Sequence, residues 1–543
     1  MKASAIIELN QLYAAGKLEE LAKHPDIYLM PDWVKELAND ENEWVRLHLA
    51  TNPIISQFPD VAIKLAEDKN FTVRQVFAKN PSLTLSEVVM KLAQDEHSPV
   101  RETIAQNPTI GKFSAAAMKL ATDKEERVRK NLVENPAIAQ LPEVITKLAQ
   151  DEYPEVLAAI AELSELAQLP EVAMKLAADK NYLVRNSLAQ NEALAQLPEV
   201  VLALSQDPDD VIREILADHP AIYQFPELVH KLAQDGYSPV RRTLTDNPTI
   251  CQFPELAKIL AQDEDKYVRG SLAQNPAIAQ LPELVHKLAQ DEDQWVRNDL
   301  AQNSSISQLP EIAMKLANDD SSWVRNHLAE NQEAVKLPEV AMKLSIDENT
   351  DVRNSLARTP AIAKCSAAAM KLATDKEERV RRSLARNPVI AQLPEVVIEL
   401  ATDKDCDVRN SLAQNEALAQ LPEVAMKLAN DEGEGVRIAL ARNTAIAQLP
   451  EVAMKLAHDE EDYVRCQFAQ NPAIAQLPEV VIELASSEDY LFRYALARNT
   501  AIAQLPEVAM KLANDENTDV RNSLAQNPAI AQIQNQAPGV NGI

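Results

Sequence analysis

Glycine is nearly missing from this chain, with 8 residues in 543. That scarcity argues against phosphate-cradling loops, and no Walker-type or dinucleotide-binding fingerprint occurs. The nearest approach, Gly433-Glu434-Gly435, lacks the third glycine. Cysteine is as rare: Cys251, Cys365, Cys406 and Cys466 have no metal-ligand spacing and read as reduced, incidental thiols. No stretch approaches the roughly 18 apolar residues of a spanning helix. Glu8 interrupts the short run Ala5-Ile6-Ile7, so no signal peptide is expected. Basic charge is in deficit too. A formal net charge of -28 and a pI near 4.8 exclude a globally basic nucleic-acid footprint, leaving only local basic strips. These absences point to a soluble, cytoplasmic, cofactor-free chain acting as a monomer, with no membrane partner.

What is present is repetition. A valine-arginine pair recurs at a step of 28 residues from Val45 to Val520, with Ile212 and Phe492 standing in for valine. Only the step from Val73 to Val100 is one residue short. Eighteen copies of one supersecondary unit override the usual division of such a length into separate domains. Each unit needs only its neighbours to bury its apolar face.

The clearest copy starts at Val268 and ends before Val296. Leu281-Pro282-Glu283 opens a helix: proline at the first helical position loses no hydrogen bond, and glutamate faces the positive helix end. Leu284, Leu288 and Ala289 follow at helical spacing. Glu283 and Lys287, like Glu451 and Lys455, are four apart in the favourable order, so much lysine is expected to be neutralised on its own helix. After a turn at Asp291-Glu292, a second helix carries Val296, Leu300 and Ala301 and ends near Asn303, an asparagine suited to a left-handed terminus. The following Asn-Pro-Ala-Ile-Ala-Gln pattern reads as a turn of tighter helix, with Ile278 a third core contact in this copy.

The expected fold is therefore all-α: a right-handed α-solenoid of about 18 two-helix repeats with a 28-residue period. Residues 1–30 break the period but read as a helical cap with Ile6, Ile7, Leu9, Leu12 and Leu21 apolar. The array spans 31–532, and the tail 533–543 is expected to be disordered.

Aspartate five residues before the valine and arginine one after it each recur in 17 of the 18 units, as in Asp291 with Arg297. This D-x-x-x-x-V-R arrangement resembles HEAT repeats, and the resemblance implies an inter-repeat polar ladder. The short period and the L-A-x-N-P that follows are similar to the leucine-rich repeat variant family, in which α-helices alternate with short tighter helices. Some members of that family carry a cysteine cluster for an iron-sulfur centre. No cysteine precedes Cys251 here, so that cofactor is expected to be absent.

Two rows of residues are candidates for function. The arginine row either lines a groove for phosphates or carboxylates, or forms a structural ladder with Asp263, Arg269, Asp291, Arg297, Asp319 and Arg325 among its members. The unit at Val156 favours the ladder. It has Leu157 for arginine and Leu163 for asparagine, as if the two belonged to one network. The residue just before the valine varies most. Tyr267, Trp295 and Trp323 occupy it in consecutive repeats and should align into an aromatic strip, with Trp44 and Tyr463 elsewhere in the row and Tyr490 near the latter. Asn298-Asp299 and Asn326-His327, two and three places after the valine, should be exposed on the same face.

Histidines are scattered and no catalytic constellation stands out, so an enzyme is not expected. The leading reading is a non-enzymatic scaffold binding a protein or peptide on one face. The alternative is a nucleic-acid-binding or DNA-mimicking solenoid, which the net charge disfavours. Residues 114–129 and 366–381 are identical, which implies duplication within the gene.

Overall fold

The computed structural model describes residues 2–530, so the tail 533–543 lies outside the described residues. Among them there is no strand, and the helices follow a fixed order. A first α-helix is followed by a second, then by a short 3-10 helix, as in Pro282–Leu288, Gln294–Gln302 and Ser304–Gln308. The chain divides into two compact units, the first ending at Asn247 and the second beginning at Pro248. Within each unit, second helices of successive repeats pack on one another, first helices pack on first helices, and the 3-10 helices do the same. This is an α-solenoid.

The local chemistry explains each element. Pro282 starts the first helix, and Leu284, Val285 and Leu288 bury one side of it. Asp293 caps the second helix by accepting from the Trp295 N–H at 2.9 Å. Val296, Leu300 and Ala301 form its buried stripe, and Ile278 is buried from the connecting segment. Each fully buried Leu or Val side chain contributes about 1.5–3 kcal/mol, so one repeat owes its place chiefly to a handful of apolar contacts with its neighbours.

Asparagine does not end the second helix in a left-handed conformation. Asn303 is extended, at φ -66° and ψ 120°, and no residue other than glycine has positive φ among those described. Its side chain has another use. Oδ1 accepts from the Ser305 N–H, capping the 3-10 helix, while Nδ2 donates to the carbonyls of Ala273 and Asn275 in the preceding repeat at 2.8 and 2.9 Å. Asn331 repeats this on Ala301 and Asn303, and Asn52, Asn80 and Asn107 do so in the first unit. Where threonine replaces asparagine the contact to the preceding repeat is kept: Thr359 Oγ1 donates to the Ala329 carbonyl at 2.7 Å.

The one-residue deficit between Val73 and Val100 falls in the connecting segment, where 81–85 forms no 3-10 helix and Leu83 supplies the buried contact. The ladder survives it, with Asn107 Nδ2 reaching the Ala78 and Asn80 carbonyls at 2.7 and 2.9 Å. Lysine pairing also departs from the expected pattern at Lys91, which meets Glu67 at 2.6 Å, closer than Glu87 of its own helix at 3.9 Å.

Ahead of the periodic region lie helices Lys2–Ala14 and Leu18–Lys23 and the 3-10 helix Ile27–Leu29. Leu9 and Leu21 are buried but Ile7 is exposed, so only part of the expected apolar set faces inward. Gly16, at φ +68°, makes the turn between the two helices, a conformation that disfavours any side chain. Helix Leu18–Lys23 packs on Glu43–Thr51, the first second-helix of the array. We propose that residues 1–30 cap the array, which would then span 31–532.

Candidate functional site

Most of the arginine row is buried, and its donors are occupied. Arg297 Nε and Nη2 grip Asp319 at 2.7 and 3.0 Å, while Nη1 donates to the Asp291 carbonyl at 2.7 Å. Arg269 treats Asp291 and the Asp263 carbonyl alike, and Arg325 treats Asp347 and the Asp319 carbonyl alike. Each arginine thus joins the aspartate side chain of the next repeat to the turn carbonyl of its own. Bidentate, charge-assisted pairs of this kind are strong and directional. The aspartate is further satisfied by a backbone donor, as when Asp291 Oδ1 accepts from the Asp293 N–H at 2.9 Å.

Arginine and asparagine do not form one network. The first sits at the start of the second helix and the second at its end, and they share no partner in Arg297 or Asn303. The unit at Val156 has therefore lost two separate things. Leu157 is buried where an arginine would stand, and the Asp179 carboxylate accepts only the Asn181 N–H at 2.8 Å. Leu163 makes no side-chain cap of the following 3-10 helix. The ladder fails once more at Ser487. Arg465, without its aspartate, turns to Asp462 and to Asp489 at 3.5 Å and lies over the Phe492 ring at 4.6 Å.

Just ahead of this buried row is the aromatic one. Trp295 and Trp323 meet edge to face, centroids 4.4 Å apart and planes at 70°. Tyr267 is 65% exposed and Trp295 52%, with Trp323 half-buried. Lys266 Nζ links the first two, 5.6 Å from the Tyr267 centroid and 5.9 Å from that of Trp295, and pairs with Asp293 at 3.2 Å. The Trp295 N–H, with Lys266 beside it, holds the Asp293 carboxyl below its usual range. His327 Nδ1 lies 3.0 Å from the Trp323 carbonyl, and its ring is edge-on to that indole at 5.2 Å.

Helix starts explain the alignment. Asp265 and Asp293 each bond the N–H two residues on, which places Tyr267 and Trp295 identically in the first turns of neighbouring second helices. Ser321 occupies the same cap before Trp323 without a side-chain bond, its hydroxyl donating instead to Gln294 Oε1 at 2.9 Å.

A typical repeat is thus a pair of α-helices closed by a short 3-10 helix, as in Pro282–Leu288, Gln294–Gln302 and Ser304–Gln308. No protein-family model and no curated protein matches the sequence. Solved structures with similar repeats include a leucine-rich repeat variant described as a novel repetitive structural motif. It is 21% identical, covering 44% of this chain and 87% of that one at a TM-score of 0.31. Importin beta in an ammonium sulfate condition is 12% identical, covering 97% and 87% at 0.31. A homology model of the full-length AP-3 complex in an intermediate open conformation is 12% identical, covering 93% of each chain at 0.34. None of these likenesses transfers a site. The repeat architecture here stands on element order and on the two ladders.

Other expected site residues are not gathered with the strip. Trp44, in the first unit, is exposed and tilted against His48 at 6.5 Å. Tyr463 and Tyr490 are exposed but make no ring contact with each other among the described residues. Asn298, expected to be exposed, is 2% exposed. Sequence reasoning missed Lys266 and Asp293, although a lysine and a capping aspartate beside an aromatic row were visible signals. Among the described residues no helix is long and apolar enough to cross a membrane.

Proposed function

We propose that this protein is a non-enzymatic repeat scaffold that holds a protein or peptide partner against the face carrying Tyr267, Trp295 and Trp323. The observation that carries the reading is the Trp295–Trp323 pair, at a 4.4 Å centroid separation and continued by exposed Tyr267 in the preceding repeat. The stripe of these second helices that faces the core is supplied by Val268, Val296 and Val324, so the aromatics are not needed for stacking. Large aromatic side chains clustered on a rigid surface are favoured anchors for a partner.

A nucleic-acid or DNA-mimicking role receives less support. The row of arginines that could have met phosphates is mostly buried and bound to aspartates, as Arg269, Arg297 and Arg325 illustrate. Phosphate binding is strongest at low salt, so mobility-shift measurements at low ionic strength address it directly.

The test of the scaffold reading is a Trp295→Ala, Trp323→Ala double variant presented to cell lysate beside the unaltered protein. Partners identified by mass spectrometry should be depleted from the variant. Recovery of the same partners in the same amounts would refute the assignment.

A further inference from the structure

One turn beyond Trp295, on the same side of helix Gln294–Gln302, stands Asp299. Its surroundings are built around it. Oδ1 accepts from Gln274 Nε2 at 2.8 Å. Oδ2 lies over Gly270 of the preceding second helix, where a side-chain carbon would come within 2.3 Å. Equivalent positions in the next two repeats carry Asn298 and Asn326, so the missing side chain at Gly270 is what allows the carboxylate to lie down against the helix.

Among the described residues no lysine or arginine pairs with Asp299. Lys266, the nearest ammonium of the strip, is engaged by Asp293 at 3.2 Å, and the basic group that acts on Asp299 is the imidazole of His327. Burial pushes the Asp299 carboxyl up, Asp293 adds to the rise, and the Gln274 bond opposes it. A half-buried carboxylate and the indole rings beside it attract the same thing, a positively charged hydrogen-bond donor. A net charge of -28 draws such a ligand from a distance.

Resting on the scaffold reading above, we propose that the strip takes a basic peptide segment of its partner, one Lys or Arg side chain of which seats on the Asp299 carboxylate beside Trp295 and Trp323. The backbone on either side of that residue would run along the aromatic row toward Tyr267. Gly270 serves as a specificity position, since it sets the depth at which the carboxylate waits.

The experiment selects nonapeptides from a random displayed library on the full-length protein and measures the enriched sequences by fluorescence anisotropy. Binders should contain Lys or Arg, and their affinity should fall about tenfold or more on Asp299→Asn, as expected when a charged hydrogen bond is removed. Gly270→Ala, a substitution a helix tolerates, should produce a similar loss by displacing the carboxylate. Replacing the peptide's basic residue with Gln should cost as much on the unaltered protein and little more on Asp299→Asn. Binders that need Trp295 and Trp323 but ignore Asp299 and Gly270 would overturn the cation seat while leaving the scaffold reading standing. A library that yields no binder dependent on the two tryptophans would overturn both.

Discussion

Arg325 and Asp347 are 22 residues apart in sequence and face each other through two hydrogen bonds, Nε to Oδ2 at 2.6 Å and Nη2 to Oδ1 at 3.0 Å, with both side chains buried. The same guanidinium binds the Asp319 carbonyl at 2.6 Å. One side chain therefore fastens a turn to its own helix and that helix to the next repeat.

Removing one partner of such a pair strands the other. Arg325→Ala or Asp347→Ala should each lower stability by about 3–5 kcal/mol, because an uncompensated buried charge remains. In a solenoid the damage stays local. Hydrogen exchange should accelerate in the adjoining helices Ser322–Glu330 and Thr350–Arg358. Exchange that is unchanged there would show the pair to be dispensable.

Acid should unfold the array by the same route. Burial, the largest influence on Asp95, Asp235 and Asp515, raises their carboxyl pKa, but arginine and backbone N–H bonds together bring each below its ordinary value. A folded-state pKa below the unfolded one means stability that is fully present above about pH 4 and is lost as pH falls through the lower folded value. Thermal unfolding should be steady from pH 7 to 5 and drop below about 4. Relief of the net negative charge has the opposite sign, so a midpoint that rises on acidification would mean that general repulsion outweighs the ladder.

The unit at Val156 offers a gain-of-stability test. Leu163 is half-buried where neighbouring repeats hold asparagine, and Asn191 and Asn135 show what an asparagine does there. Leu163→Asn should donate to the Val133 and Asn135 carbonyls and cap the 3-10 helix Ser164–Gln168, raising stability by about 1 kcal/mol. A variant less stable than the parent by denaturant titration would mean that the repeat has repacked around leucine.

Binding and folding should separate along a single helix. Trp295→Ala removes a half-exposed side chain and should change stability by less than about 1 kcal/mol. Leu300→Ala, five residues on and fully buried, should cost about 2–5 kcal/mol. Equal losses in the two variants would place Trp295 among the structural residues.

Much of this was legible in the order of residues. Val296, Leu300 and Ile278 could be assigned to the core because periodic apolar spacing and burial are the same fact in a repeat that touches only its neighbours. Tyr267, Trp295 and Trp323 could be aligned because identical spacing puts them on identical helix turns. Asn303 was misread because a helix-ending asparagine has two uses, and only the partner repeat reveals which applies. Thr359 at the same step was the overlooked clue, since it can hydrogen-bond through its side chain and, being β-branched, is unsuited to a left-handed turn. Asn298 was misplaced for a related reason: its burial depends on packing that the spacing along its own helix does not specify.

The sequence by itself determined the period, the helix pair and its apolar stripe, because each follows from interactions within about one repeat of the chain. Tertiary structure alone decided which aspartate each arginine meets and which carbonyls each asparagine satisfies. It also decided that Asp299 lies half-buried and, among the described residues, without an ion pair to lysine or arginine. Those relations join residues 22 to 30 positions apart, where spacing permits several partners and only packing selects one.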